Sequence, residues 1–307
     1  MNNNSPQQDI NLHELLILIY QKKLFISCMV SFSIIISAYV ALKIPNKFTS
    51  SSILYVNENI NSKQSDSIGG LASIVGITGS SSSTKSDLAR EIIFSRLLLD
   101  SLLKNEDFLV KIYAASSYDK STSSILYDKN IYDSSTKKWL EYNKKGVLGP
   151  PTTLQAQKKF NKIIQFNVDN NTGFIEISAT HYSPKFAHDL LVFVIDELNR
   201  ISSSNALNDS QESITFLKEK LLETKQLELR ESLTRLITVQ LEQQMMATVQ
   251  SEYLLKFLDK PFIPESKVSP SRSLIVILST LGGFIISIIY ILVASLFSTR
   301  TQLKTIK

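Results

Sequence analysis

The sequence predicts an α+β protein in which two transmembrane helices bracket a soluble domain with a membrane-proximal mixed α/β base and a long helical hairpin. Three observations carry this. Leu24–Leu42 and Ser273–Phe297 contain no charged residue, and each has about the 20 residues needed to cross a bilayer. From Lys185 to Lys260 there is neither glycine nor proline, as an extended helical region requires. Ahead of it, Ile163–Val168 and Gly173–Thr180 have strand composition and are separated by Asp169-Asn-Asn-Thr172, a turn sequence that predicts a hairpin.

These segments divide the chain into a tail with an interfacial helix (1–23), a first span (24–42), a domain (43–272) with a helical arm over about 184–257, a second span (273–297) and a short tail (298–307). The first run is long for a signal-peptide core, and Lys43-Ile44-Pro45 offers no small-residue cleavage site, so an uncleaved span is expected. Lys22 and Lys23 precede the first span while Arg300, Lys304 and Lys307 follow the second. The positive-inside rule then puts both termini in the cytoplasm.

Taken in order, Ile10–Tyr20 places Leu12, Leu15, Leu16 and Ile19 on one helical face, as an interfacial helix does. Phe48–Val56 has the β-branched and aromatic content of a strand. Gly79–Ser86 is one residue from a phosphate-binding loop, but Thr84 stands where backbone approach needs glycine. A surface loop is the better reading. Ser86–Lys104 reads as one helix with Ser86 as its cap. The polar stretch Tyr113–Lys145 interleaves Tyr118, Tyr127, Tyr132, Trp139 and Tyr142 with Asp119, Asp128 and Asp133. Such aromatics could stack on sugars beside acids that bond hydroxyls; packing on the domain is the simpler reading.

Pro150-Pro151 marks a corner and a helix is expected over Thr153–Lys162. Ser183 then caps a helix with Pro184 at its first position. Unbroken, the following 70-odd residues would extend about 105 Å. The residues from Lys260 to Arg272 reach at most about 45 Å, so the helical region must double back. Thr224–Arg230 is the expected reversal, with arms of roughly 50–60 Å, and Ser202–Ser210 the competing one. Tyr253–Phe257 would then add a strand to the base.

The formal net charge of +5 is modest and the cations are scattered, which excludes a nucleic-acid footprint. Cys28, the only cysteine, lies in the first span. His13, His181 and His188 lack metal-ligand spacing; the last two read as helix-surface residues. There is no Gly-x-Ser-x-Gly elbow, and Asp196-Glu197 reads as a solvated face. The ten residues after Phe297 are too few for a catalytic domain. No catalytic, cofactor-binding or metal residue is expected; the chain reads as a scaffold.

The run Pro261-x-x-Pro264-x4-Ser269-Pro270 leading into a span that holds Gly282-Gly283 resembles the chain-length determinant proteins, the Wzz-type polysaccharide co-polymerases. Gly69–Ile77, the Tyr127-Asp128, Ile131–Asp133 and Lys138-Trp139 series, and Glu228–Leu233 are similar to one subgroup. The resemblance implies a two-pass protein of the bacterial inner membrane with a periplasmic domain, assembled as a homo-oligomeric ring. It implies non-enzymatic control of surface polysaccharide length, as in lipopolysaccharide O-antigen, with a glycan polymerase and the lipid-linked polysaccharide as partners. The alternative is a capsule or exopolysaccharide export co-polymerase working with a transporter or a separate tyrosine kinase. Pro261–Pro270 is expected to be a stiff connector and Gly282-Gly283 a helix-packing notch. Trp139, Tyr127 and Tyr132 are candidates for glycan or partner contact.

Overall fold

The computed structural model describes residues 20, 22–57, 82–140 and 148–304. The expected interfacial helix, the Gly69–Ile77 run and Tyr142 lie outside the described residues, as does the start of Gly79–Ser86. The chain forms two compact units, one of residues 1–45 and 269–307 and one of Asn46–Val268.

The first unit pairs two apolar helices, α1 (Lys23–Lys43) and the C-terminal helix Arg272–Lys304. Both contain a stretch long and apolar enough to cross a membrane, Lys23–Lys43 and Arg272–Val293.

The second unit is a mixed α/β domain. Its centre is β1 (Phe48–Val56), which alternates buried and exposed residues as a strand with one covered face must. After it come α2 (Ser82–Ile93), α3 (Arg96–Leu103) and α4 (Glu106–Ala114). The expected single helix over Ser86–Lys104 is therefore two, and it begins earlier, at Ser82, so Ser86 lies inside the first helix and does not cap it. Ser95 ends the first, donating to the Ile92 carbonyl, and caps the second, accepting the Leu98 N–H. Its hydroxyl competes with the helical ladder, which breaks there. Two small hairpins follow, β2 (Ala115–Asp119) with β3 (Ser124–Tyr127) and β4 (Tyr132–Asp133) with β5 (Lys138–Trp139).

Helix α5 (Thr153–Ile163) starts from a full capping box, Thr152 with Gln155. It leads into the predicted hairpin, β6 (Ile164–Val168) and β7 (Ile175–His181). Helix α6 (Pro184–Glu223) begins as expected, with the Ser183 hydroxyl accepting the Phe186 N–H and Pro184 in the first turn. It passes through Ser202–Ser210 unbroken, the Ser202 hydroxyl bonding back to the Leu198 carbonyl. The reversal is at Thr224–Gln226, before α7 (Leu227–Val249). Arg230 secures it by donating to the Leu221 and Thr224 carbonyls at the end of α6. The arms are unequal: 40 residues make about 60 Å and 23 make about 35 Å.

The return strand β8 (Leu255–Asp259) pairs with β1, giving an antiparallel sheet of order β6-β7-β1-β8. The core lies between one sheet face (Leu54, Ile175, Ile177, Ala179) and the buried stripe of α6 (Leu190, Leu191, Val194, Leu198), closed by α3 and α5 through Leu99, Leu102 and Phe160.

Candidate functional site

Residues 260–271, which include the predicted connector Pro261–Pro270, contain no helix. The buried hydroxyls of Ser50 and Ser52 on β1 donate to the carbonyls of Phe262 (2.7 Å) and Asp259 (2.6 Å). The Val268 N–H donates to the Lys47 carbonyl at 2.9 Å. Pro264 and Pro270 are buried, Pro261 is half-buried, and Ser269, which precedes a cis bond to Pro270, is exposed. A proline-punctuated segment supplies few amide donors for a ladder, and these serine side chains and the Val268–Lys47 backbone bond help hold it.

The helix that carries Gly282 and Gly283, Arg272–Lys304, is α8 in chain order. The two glycines are not equivalent. A Cβ on Gly283 would sit 2.8 Å from Ser33 Cβ and 2.9 Å from its Oγ on α1, whereas one on Gly282 would meet nothing within 4 Å. Ser33 Oγ lies 2.9 Å from both the Ser279 carbonyl and the Ser279 hydroxyl, and Phe25 stacks on Tyr290. Gly283 is the notch that lets this polar contact form between two otherwise apolar helices.

Tyr127, Tyr132 and Trp139 come together at the two small hairpins. The Tyr132 ring packs edge-on to Tyr127 (5.7 Å) and Trp139 (5.1 Å), and Trp139 packs on Tyr113 (6.1 Å). All three are half-buried, while Tyr113 is buried in α4. Burial, then Asp107 and Tyr132, pushes the Tyr127 phenol up. The nearby acids serve their own turns: Asp119 and Asp133 each accept a backbone N–H two residues on and a threonine hydroxyl three residues on. Those bonds hold both carboxyls below the usual range. Among the described residues no three His, Cys, Asp or Glu side chains gather as metal ligands.

Two polar readings of the sequence are corrected. His181 is not on a helix surface: it ends β7 and is buried. Its Nδ1 accepts the Ser183 N–H, so the neutral ring carries its proton on Nε2 and donates to the Lys111 carbonyl. Burial lowers its pKa to about 4. Glu197 is not solvated either; it is buried, and Arg200 grips it with two 2.6 Å bonds that hold its carboxyl low.

Sequence reasoning also missed two asparagines. Buried Asn199 accepts the N–H groups of Leu254 and Leu255 (both 2.9 Å) and donates to the Leu255 carbonyl (3.0 Å). Buried Asn57 donates to Gln250 Oε1 and to the Tyr253 carbonyl. Both hold the chain where it returns from α7 to the sheet. The available signal was Asn199's place in the α6 stripe, four residues after Ile195.

Residues 8–106 match the family model of Wzz, the chain length determinant protein. This Wzz match runs from before α1 through β1, α2 and α3 to the first residue of α4. The proline connector and the glycines of the second apolar helix lie outside it. No curated protein matches the chain. Among solved structures, a full-length bacterial polysaccharide co-polymerase is similar over 94% of this chain and 99% of its own, at 14% identity and a TM-score of 0.39. A fragment of WzzB, a polysaccharide co-polymerase from Salmonella Typhimurium, is similar over 73% of this chain and 100% of its own, at 12% identity and a TM-score of 0.32.

Proposed function

We propose that the chain is a non-enzymatic regulator of lipopolysaccharide O-antigen chain length, working as an oligomeric scaffold beside the glycan polymerase. The Wzz chain length determinant match over residues 8–106 carries this reading. The two apolar helices flanking a mixed α/β domain support it. In this reading residues 43–272 stand in the periplasm, both termini are cytoplasmic, and copies close into a ring around the polymerase and its lipid-linked product. A heterologous interface that closes on itself gives such a ring.

The connector residues Pro261, Pro264, Ser269 and Pro270 join the domain to the second span as a stiff, non-helical link. Gly283 joins the spans within a subunit, and Gly282 is left for a neighbour or the polymerase. Tyr127, Tyr132 and Trp139 offer half-buried ring edges to glycan or partner.

The test is deletion of the coding sequence and complementation, read as the lipopolysaccharide ladder on a gel. Loss of the regulated length, restored by the intact chain, is expected. An unchanged ladder overturns the reading, and loss of a capsular polymer beside an unchanged ladder replaces it with the export alternative. Replacing Pro264 and Pro270 together is expected to alter the regulated length with both spans still inserted; an unaltered length makes the connector a plain tether.

A further inference from the structure

In the eleven residues 258–268, Leu258, Phe262, Ile263 and Val268 are each at least half exposed. Single exposed apolar residues need no explanation, but a cluster on one short segment marks a contact surface. This segment is not loose: Ser50 and Ser52 pin its carbonyls from inside, Pro264 is buried, and Val268 is bonded to Lys47. The fold fixes the backbone and leaves the side chains out.

Charge identifies what they meet. The stretches 43–47 and 255–272 hold six cations, Lys43, Lys47, Lys256, Lys260, Lys267 and Arg272, against only Asp259 and Glu265. These cations lie on the side of the spans where the positive-inside rule expects few. Covalent reach is short as well. Val268 is four residues before Arg272 and Lys47 four after Lys43, at most about 14 Å of chain in each case. Exposed aromatic and aliphatic side chains interleaved in sequence with lysines, a few residues from two spans, suit a bilayer interface with acidic headgroups.

We propose that Phe262, Ile263 and Val268 dip into the headgroup layer of the membrane the chain crosses, with Lys260 and Lys267 against the phosphates of acidic lipids. This rests on the two-pass reading, and the experiment separates the two. The full chain, with Trp139→Phe as background, is placed in nanodiscs of phosphatidylcholine and phosphatidylglycerol, with or without bromine on the acyl chains. Three single tryptophans are compared: Phe262→Trp, Ile285→Trp in the second apolar helix, and Phe216→Trp on α6.

Phe262→Trp is expected to emit to the blue of Phe216→Trp and to lose about half its emission in brominated discs, as an interfacial aromatic would. The loss should shrink in discs of phosphatidylcholine alone and with Lys260→Glu/Lys267→Glu. Ile263→Trp serves if Phe262→Trp does not fold. Quenching of Ile285→Trp without quenching of Phe262→Trp overturns the proposal and leaves the two-pass reading standing. No quenching of Ile285→Trp overturns both. A blue-shifted but unquenched Phe262→Trp means protein covers the patch, which also overturns it. Equal quenching with and without phosphatidylglycerol overturns the role of the lysines.

Discussion

Asn199→Ala is the substitution whose cost can be worked most directly. The side chain is 2% exposed and makes three hydrogen bonds, all to backbone groups of Leu254 and Leu255. Alanine cannot replace them. At about 1–1.5 kcal/mol for each buried bond left unmade, the loss is about 3–4 kcal/mol. In a domain of this size that lowers Tm by about 10 °C. The assay is thermal and urea unfolding of the full chain in nanodiscs, followed by circular dichroism. Asn199→Asp sharpens it. A carboxylate still accepts both N–H groups but faces the Leu255 carbonyl with no proton to donate, whereas the protonated acid can donate. The facing Leu255 carbonyl favours the protonated acid and the two N–H groups favour the carboxylate, so the penalty changes with pH. An Asn199→Ala penalty under about 0.5 kcal/mol, or an Asn199→Asp penalty independent of pH, refutes the clamp.

Three further outcomes are expected. His181 has a folded pKa lowered to about 4, so the unfolded chain binds the extra proton; the stability it contributes is present above about pH 6.5 and lost as pH falls toward 4. The loss is about 3 kcal/mol, and His181→Asn should flatten that part of the urea-midpoint profile; an unchanged profile counts against the neutral buried ring. Ser123 (φ 50°) and Lys137 (φ 53°) occupy the left-handed position that Gly173 (φ 73°) fills in the β6–β7 turn. Ser123→Gly and Lys137→Gly should each stabilise by about 0.5–1 kcal/mol and Gly173→Ala destabilise by about 1, measured by urea unfolding. In a Cys28→Ser background, Ser33→Cys and Ser279→Cys should cross-link under mild oxidation; Gly283→Leu should abolish the link and Gly282→Ala should not, since only Gly283 faces Ser33. Equal effects at both glycines would contradict the packing.

Much of the fold was legible because local chemistry and tertiary packing agree. Ser183-Pro184 starts α6, Asp169–Thr172 turns the hairpin, and the Lys260–Arg272 reach forces the reversal that Arg230 secures. What was not legible depends on long-range contact. Nothing local distinguishes Ser95, where the helix breaks, from Ser86, which lies inside α2, and the nine residues of α4 are too few for a periodic signal. His181 looked exposed because the strand it ends could not be bounded to within a residue; once β7 runs to His181, the alternation of buried positions takes the ring inside. Of the candidate site, Gly282-Gly283 showed a notch in the sequence, but which glycine is occupied depends on where Ser33 falls on the facing helix.

Strand β8 is where these observations meet. It is an edge strand of five residues, its register with β1 shifts between Ile53 and Leu54, and the chain leaves it directly into a proline-rich segment. A ladder that short and irregular is weak by itself. The structure makes up the difference with buried side chains: Asn57 and Asn199 hold residues 250–255 where the helical arm arrives, and Ser50 and Ser52 hold residues 259–262 where the connector departs. Each is a polar group in a core position, costly if its partner moves away. The arriving chain is thus fastened to α6 by Asn199 and to the end of β1 by Asn57, and the departing connector to β1 by Ser50 and Ser52. Asn199→Ala should therefore loosen residues 254–255 while the Ser50 and Ser52 bonds to residues 259–262 persist.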